Sequence, residues 1–291
     1  MRLLVTGAAG MLGRDVVEAA RGAGHEVTGL AHGELDITDA GAVDAAVADA
    51  RPDVVVNCAA WTDVDGAEAN EARALAVNGE GAGNVARAAA AIGARLVHVS
   101  TDYVFDGERA HAAGGAGEPW LESDAVAPLQ AYGRTKLAGE RAVAEAGGEH
   151  AIVRTAWLFG AGGPNFVETM LRLAADRDEV SVVTDQVGRP TWTGHLAAAL
   201  VEAAERRGDV GVFHATGEGA CSWNEFALEI FDRAGVGCRV LPTTSDAFPR
   251  PAARPAYSVL GSERDPAIVL PPWQEGLQAY LDGRHREAVA A

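Results

Sequence analysis

The chain reads as an α/β protein, a doubly wound parallel sheet with a smaller α/β lobe interleaved into its second half. Two observations carry this. Over about the first 155 residues, strand-like and helix-like segments alternate, and the strand-like ones are short apolar runs, as strands buried on both faces require. A turn with glycines spaced three apart also stands between the first strand and the first helix.

In order, Arg2–Thr6 is a strand ending at Gly7, 11–23 a helix, 25–30 a second strand and Ala40–Ala50 a short helix. The run DVVVN at 53–57 is the third strand, 67–91 a helix, RLVHVS at 95–100 the fourth strand, 132–146 a helix and 151–155 the fifth strand. Beyond it, 165–175 and 194–206 read as helices with a strand at 180–184 between them. The segment 212–215 is a short strand able to join the first sheet, Trp223–Ala234 a helix, and the proline-rich 242–255 a loop.

At 291 residues and 48% hydrophobic, the chain can bury a large core, and no internal period marks a solenoid or propeller. A net charge of −17 argues against nucleic acid, whose phosphates need a basic surface. A small anion would need a local cluster of Arg side chains and backbone N–H groups. Cys58, Cys221 and Cys238 are widely spaced with no CxxC or metal pattern, as in reduced cytoplasmic proteins. The opening MRLLVTGAAG breaks into glycines too early for a signal peptide, and no run reaches the ~20 apolar residues of a membrane span. A cytoplasmic location without a membrane partner is expected.

The first strand runs into Gly7-Ala8-Ala9-Gly10-Met11-Leu12-Gly13, a GxxGxxG variant of the dinucleotide fingerprint. The first glycine permits the turn, the second lets backbone approach a pyrophosphate, and the third lets helix and strand pack closely. The pyrophosphate then faces a helix N-terminus, so the sheet is Rossmann-type. The second strand ends Gly29-Leu30-Ala31-His32, with neither the acid that marks NAD nor an adjacent Arg for a 2′-phosphate, so NADPH or NADH fits. Glu34 and Asp36 come slightly later, with Asp36 toward the adenine. The expected division is 1–160 for the dinucleotide-binding domain, joined by a strand near 210–216, and 161–291 mainly for a substrate-binding lobe.

The fourth strand ends Ser100-Thr101-Asp102-Tyr103, and about thirty residues later comes Tyr132-Gly133-Arg134-Thr135-Lys136. Tyr and Lys at i and i+4 share a helix face. Reducing a ketone needs a proton on oxygen as hydride reaches carbon. A tyrosine is sluggish for this unless a nearby ammonium lowers its pKa, and the lysine can also hold the nicotinamide ribose. Thr101 would hydrogen-bond the substrate oxygen. Lys136 is the only lysine in the chain, where the other 23 cationic side chains are Arg. A task needing a compact point charge explains its survival.

These residues resemble the extended short-chain dehydrogenase/reductases and, within them, the dTDP-4-dehydrorhamnose reductase family. The likeness covers nearly the whole chain: Asn57-Cys58-Ala59-Ala60-Trp61-Thr62-Asp63-Val64-Asp65, Ser100-Thr101-Asp102-Tyr103-Val104-Phe105-Asp106-Gly107, Arg154-Thr155-Ala156-Trp157, Asn165-Phe166, Asp185-Gln186-Val187-Gly188-Arg189-Pro190-Thr191, and Ala253-Arg254-Pro255 with Ser258.

The resemblance implies NAD(P)H-dependent reduction of the 4-keto group of a dTDP-6-deoxy-4-keto-hexose, giving dTDP-L-rhamnose or a relative. Thr101, Tyr132 and Lys136 would be catalytic. Gly7, Gly10, Met11, Leu12, Gly13, Asp36, Ile37, Ala59 and Ala60 would join Tyr132 and Lys136 around the cofactor. Thr62, Thr101, Tyr103 and Trp157 would line the sugar, with Asn165 and Arg254 toward the nucleotide diphosphate. A related 4,6-dehydratase would carry Glu where Tyr103 stands. Another keto-sugar nucleotide and a catalytically silent dinucleotide-binding subunit are the alternatives, and bulky Trp61 and Trp192 leave room for a sugar other than rhamnose. The stretch 108–127, with Gly114-Gly115, reads as a tolerated insertion. The family allows a homodimer, in some members with Mg2+ held by acidic residues at its interface. Asp15 stands near such a place without identifiable partner carboxylates, so no essential metal is expected.

Overall fold

The computed structural model describes residues 1–109 and 117–290. Six strands form one parallel sheet: β1 (Arg2–Thr6), β2 (Glu26–Leu30), β3 (Val54–Asn57), β4 (Arg95–Thr101), β5 (His150–Thr155) and β10 (Gly211–His214), in the order β10-β5-β4-β3-β1-β2. Sheet growth reverses direction between β1 and β3, and a crevice opens at such a switch point beyond the carboxyl ends of the strands.

Side chains alternate between the two faces. Leu3, Val5, Val54, Val56 and Val97 meet α1 (Met11–Gly22) and α8 (Thr193–Glu205). Leu4, Val55, Leu96 and Ile152 meet α2 (Ala40–Ala50), α5 (Ala82–Ala91) and α6 (Ala131–Glu145). Both faces are therefore covered, which is why these strands read as unbroken apolar runs. Each such buried Leu or Val contributes about 1.5–3 kcal/mol. Strand β10 and helix α8 return from the second half of the chain to this sheet.

The expected helix at 67–91 is three α-helices and a π-helical turn. α3 (Val64–Ala69) starts earlier because the Asp63 carboxylate caps Gly66 N–H at 2.8 Å. Asn70, at φ −135°, separates it from α4 (Glu71–Leu75), and a π-helical turn over Ala76–Gly81 precedes α5. That turn presents Asn78, whose amide clasps the backbone N–H and C=O of Trp61 at 2.8 and 3.1 Å and the Thr135 hydroxyl at 3.1 Å. The loop after β3 is thereby tied to α6.

The smaller lobe holds α7 (Phe166–Asp176), α9 (Trp223–Ala234) and the parallel pair β7 (Glu179–Val183) and β12 (Arg239–Thr243) around Phe226, Ile230 and Leu277. Two-residue pairings, β6 (Leu158–Phe159) with β9 (Thr191–Trp192) and β8 (Val187–Gly188) with β11 (Cys221–Ser222), hold its edges. Strand β12 takes in Pro242 and Thr243, at the start of the expected loop, and α10 (Trp273–Ala290) closes the chain. Gly114 and Gly115 lie outside the described residues. Among the described residues no helix is long and apolar enough to cross a membrane.

Candidate active site

At the end of β1, Gly7 takes φ +68°, and a Cβ there would come within 2.7 Å of the Ala59 amide nitrogen. The loops after β1 and β3 touch backbone to backbone. Ala59 is held in place by its own N–H to Asn57 Oδ1 at 3.2 Å, part of a buried chain from Thr6 (2.6 Å) through Asn57 to His98 (3.1 Å). Helix α1 begins at Gly10 without a side-chain cap, so no side chain competes for its first N–H groups. Gly13→Ala would drive a Cβ into the Gly7 carbonyl. It is expected to weaken NAD(P)H binding at least tenfold and to cost about 1–3 kcal/mol of stability. Fluorescence titration of the cofactor and a thermal melt measure the two effects.

Of the other expected cofactor residues, Met11 is half-buried and Leu12 buried at this helix start, and Ala60 follows Ala59 half-buried. Asp36 is exposed and its carboxylate is occupied by the N–H and hydroxyl of Thr38 at 2.9 and 2.8 Å, which hold it below the usual carboxylate range. Ile37 turns its side chain into the core and its carbonyl to Asn84.

Thr101, Tyr132 and Lys136 come together where β4 ends against the first turns of α6. The Thr101 hydroxyl lies near enough to the Tyr132 phenol to lower its pKa. Gly133 permits this approach, since a Cβ there would strike the Tyr103 carbonyl. Lys136 is 2% exposed and donates to the Val99 carbonyl at 2.7 Å. Burial lowers its pKa to about 8, against the opposing charges of Glu140 and Cys58. Glu140, one turn on, is buried and bound by Arg154 at 2.7 and 2.9 Å and by Ser100 at 2.6 Å.

The expected acidification of Tyr132 is not seen. Burial first, and Asp102 whenever it is ionised, push its pKa up to about 12, with only the Thr101 hydroxyl acting the other way. The Lys136 ammonium gives one of its three N–H groups to Val99 and feels the charge of Glu140, and the phenol keeps its proton.

Next to Tyr132 stands Tyr103, ring centroids 6.0 Å apart and edge to face. Tyr103 lines a cavity of about 690 Å3 with Phe166, Trp223, Phe248, Arg250 and Arg254. Asp65 receives Arg254 at 3.0 Å and Arg250 at 3.6 Å. Burial works against it, but Arg254, the Ala252 N–H and the charge of Arg250 hold its carboxyl below the usual range. One carboxylate facing two guanidiniums leaves a local positive charge in an acidic protein, a setting for a small anion.

The remaining expected sugar and diphosphate residues divide. Thr62 is exposed on the loop that Asn78 holds at Trp61. Trp157, at φ +47°, stacks on Trp223 with centroids 3.5 Å apart, and its backbone strain of about 1–3 kcal/mol is sustained by that stack and by Gly188 beneath the indole. Asn165 is bonded within its own segment. It caps α7 through Glu168 N–H at 3.0 Å and donates to the carbonyls of Gly160 and Gly163 at 2.9 and 3.2 Å, so its amide is committed to the chain itself. The sequence assigns no site role to Asp102, Arg250, Phe248 or Trp223, which all stand here. For Trp223 a signal existed, because Ser222 and Glu225 form a capping box that sets the indole at the first turn of α9. Asp15 lies on α1 at a second cavity of about 850 Å3 with Glu18, Glu168 and Asp282. Among the described residues no cluster of three or more His, Cys, Asp or Glu side chains could hold a metal ion.

Comparison with known proteins places these features in a family. Residues 1–285 match the model described as RmlD substrate binding domain. A dTDP-4-dehydrorhamnose reductase from Streptomyces griseus is 52% identical over 285 residues, covering 95% of this chain and 91% of the relative. A dTDP-4-keto-6-deoxy-D-glucose reductase from Streptomyces niveus is 47% identical, covering 90% and 89%. The crystal structure of a dTDP-4-dehydrorhamnose reductase from Bacillus anthracis in complex with NADP superposes with a TM-score of 0.91 at 38% identity, covering 97% and 99%. A chain matched over this length and at these identities belongs to the RmlD family.

Proposed function

We propose that the protein reduces the 4-keto group of a dTDP-6-deoxy-4-keto-hexose with NADPH or NADH, and that dTDP-4-dehydro-L-rhamnose is its substrate. The observation that carries this reading is the Thr101–Tyr132–Lys136 group, its threonine and lysine buried and its tyrosine half-buried, one aromatic ring from a cavity bearing Arg250 and Arg254. A reduced nicotinamide held there supplies hydride to C4.

The chain's own residues do the rest. Met11, Leu12 and Gly13 present backbone N–H groups to the cofactor pyrophosphate from a turn that Gly7 and Gly10 shape, the Gly10 N–H donating to the Gly7 carbonyl at 3.0 Å, with Ala59 and Ala60 on the facing loop and Asp36 and Ile37 on the adenine side. Lys136 holds the nicotinamide ribose. Tyr132 gives its proton to the ketone oxygen as negative charge develops, and Thr101 donates a second hydrogen bond to that oxygen. Tyr103, Thr62 and Trp157 surround the hexose. Arg254, with Arg250, turns from Asp65 toward the diphosphate.

The test is oxidation of NADPH and of NADH by the purified protein with dTDP-4-keto-6-deoxyglucose, with and without a 3,5-epimerase. Turnover that needs the epimerase supports the rhamnose reading. Turnover without it favours the second reading, a different keto-sugar stereoisomer, to which the name of the Streptomyces niveus relative points. Cofactor binding without turnover in either arm removes the dTDP-6-deoxy-4-keto-hexose reading in favour of another keto-sugar nucleotide or a silent binding protein.

A further inference from the structure

Asp102 is a buried carboxyl to which the reading above gives no task. It is 2% exposed; its Oδ1 sits 3.0 Å from the Thr101 hydroxyl, and its Oδ2 has no hydrogen-bond partner. Thr101 Oγ1 also accepts the Tyr103 N–H at 3.2 Å, and its hydroxyl is near enough to the Tyr132 phenol to lower that group's pKa. A hydroxyl has one proton to give and two lone pairs to receive.

Two hydrogen-bond orders fit the same heavy atoms. With Asp102 ionised, the threonine spends its only proton on the carboxylate. Its free lone pair then takes the Tyr132 O–H, which turns the proton donor away from the ketone. With Asp102 neutral, its O–H donates to Thr101 Oγ1, and the Tyr103 N–H fills the second lone pair. The threonine's proton is then left for the substrate, and Tyr132, finding no acceptor on Thr101, is free for the same oxygen.

We propose that Asp102 is a positioning residue whose carboxylic O–H donates to Thr101 Oγ1, so that the Thr101 hydroxyl turns its own proton to the substrate ketone oxygen. This rests on the reductase reading and adds a requirement to it. No proton is consumed at Asp102. Hydride goes to C4, the Tyr132 proton goes to the oxygen, and Asp102 and Thr101 return to their starting state.

The surroundings favour the neutral acid. Burial raises the Asp102 carboxyl to about 7, against the hydroxyls of Ser258 and Thr101 and the Tyr103 N–H. The titratable groups facing it are Tyr103 on its own turn and Tyr132 on α6, and a charge on Asp102 makes both phenols harder to ionise. Ser258 approaches from the C-terminal segment, and the charges of Arg250 and Arg254 act on Tyr103. A raised acid loses its proton as pH climbs, so the productive order is lost above about pH 7.

The experiment is the pH profile of kcat for wild type, Asp102→Asn, Asp102→Ala, Thr101→Val and the double variant Asp102→Asn/Thr101→Val. It is paired with the infrared band of the protonated carboxyl in the unliganded protein. Wild type should lose kcat above about pH 7. Asp102→Asn carries an amide donor at every pH, so its decline should shift up to that set by Lys136 near 8. Asp102→Ala, with no donor, should lower kcat about 10–100-fold and leave KM within a few-fold. In the Thr101→Val background, Asp102→Asn should change nothing further. The carboxyl band should titrate near 7 in wild type and be missing from Asp102→Asn. An unchanged alkaline limb in Asp102→Asn, full kcat in Asp102→Ala, or no titrating band would each overturn the proposal. Absence of turnover by wild type with any keto-sugar would instead remove the reductase reading, while the infrared band still reports on Asp102.

Discussion

Tyr132→Phe is expected to lower kcat about 10³-fold while cofactor affinity stays within about threefold. The substitution removes one oxygen from a side chain whose ring packs beside Ala67, Ala74 and Ala131, so the fold has little reason to change. The effect is large because the phenol is the acid. Its pKa, pushed up to about 12, makes it useless as a base at neutral pH, but the direction of reaction asks for an acid. An oxygen that has just received hydride at its carbon is far more basic than a phenolate, so a fully protonated phenol gives up its proton readily at that moment and not before. Stopped-flow oxidation of NADPH gives the rate, and quenching of the Trp fluorescence by the cofactor gives the affinity. Retention of the rate to within tenfold would transfer the proton to another donor, with Thr101 the nearest.

Much of this site was legible because its chemistry needs fixed spacings on regular elements. The GxxGxxG turn and the Tyr132/Lys136 pair at i and i+4 are set by local backbone geometry, and local geometry is written in the sequence. The sheet was legible for a similar reason, since strands such as Val54–Asn57 are apolar on both faces. What escaped depends on distant partners. Nothing near Asp65 shows that it will hold Arg254 from 189 residues away. The break in the helix at 67–91 escaped because alanines there favour helix, and only the contact of Asn78 with Trp61 gives the π turn a purpose. The raised pKa of Tyr132 escaped because it reflects burial and Asp102, whereas i, i+4 spacing speaks only of Lys136.

Lys136→Met should separate stability from function most sharply. The lysine is fully buried, and its pKa falls from the ordinary 10.5 to about 8. The unfolded chain therefore holds this proton more tightly than the folded one. Between pH 8 and about 10.5 stability should rise with pH, and below 8 the folded state carries a penalty of about 3 kcal/mol. Methionine has the same reach and no charge, so it removes the penalty. It also leaves the Val99 carbonyl unpaired, at about 1–2 kcal/mol, while Glu140 keeps Arg154 and Ser100. The net expectation at pH 7 is a gain of about 1–2 kcal/mol, seen as a rise of a few degrees in Tm. Over the same change, kcat/KM should fall at least about 100-fold and NAD(P)H should bind more weakly, because the ribose loses its cation. Melting at pH 7 and pH 10 tests the linkage directly: wild type should close the gap to the variant as pH rises. A variant that melts lower than wild type at pH 7 and still turns over would make Lys136 a partner for Glu140 and nothing more. A variant that melts higher and is inactive would mean that the chain retains its single lysine, at a cost in stability, for catalysis.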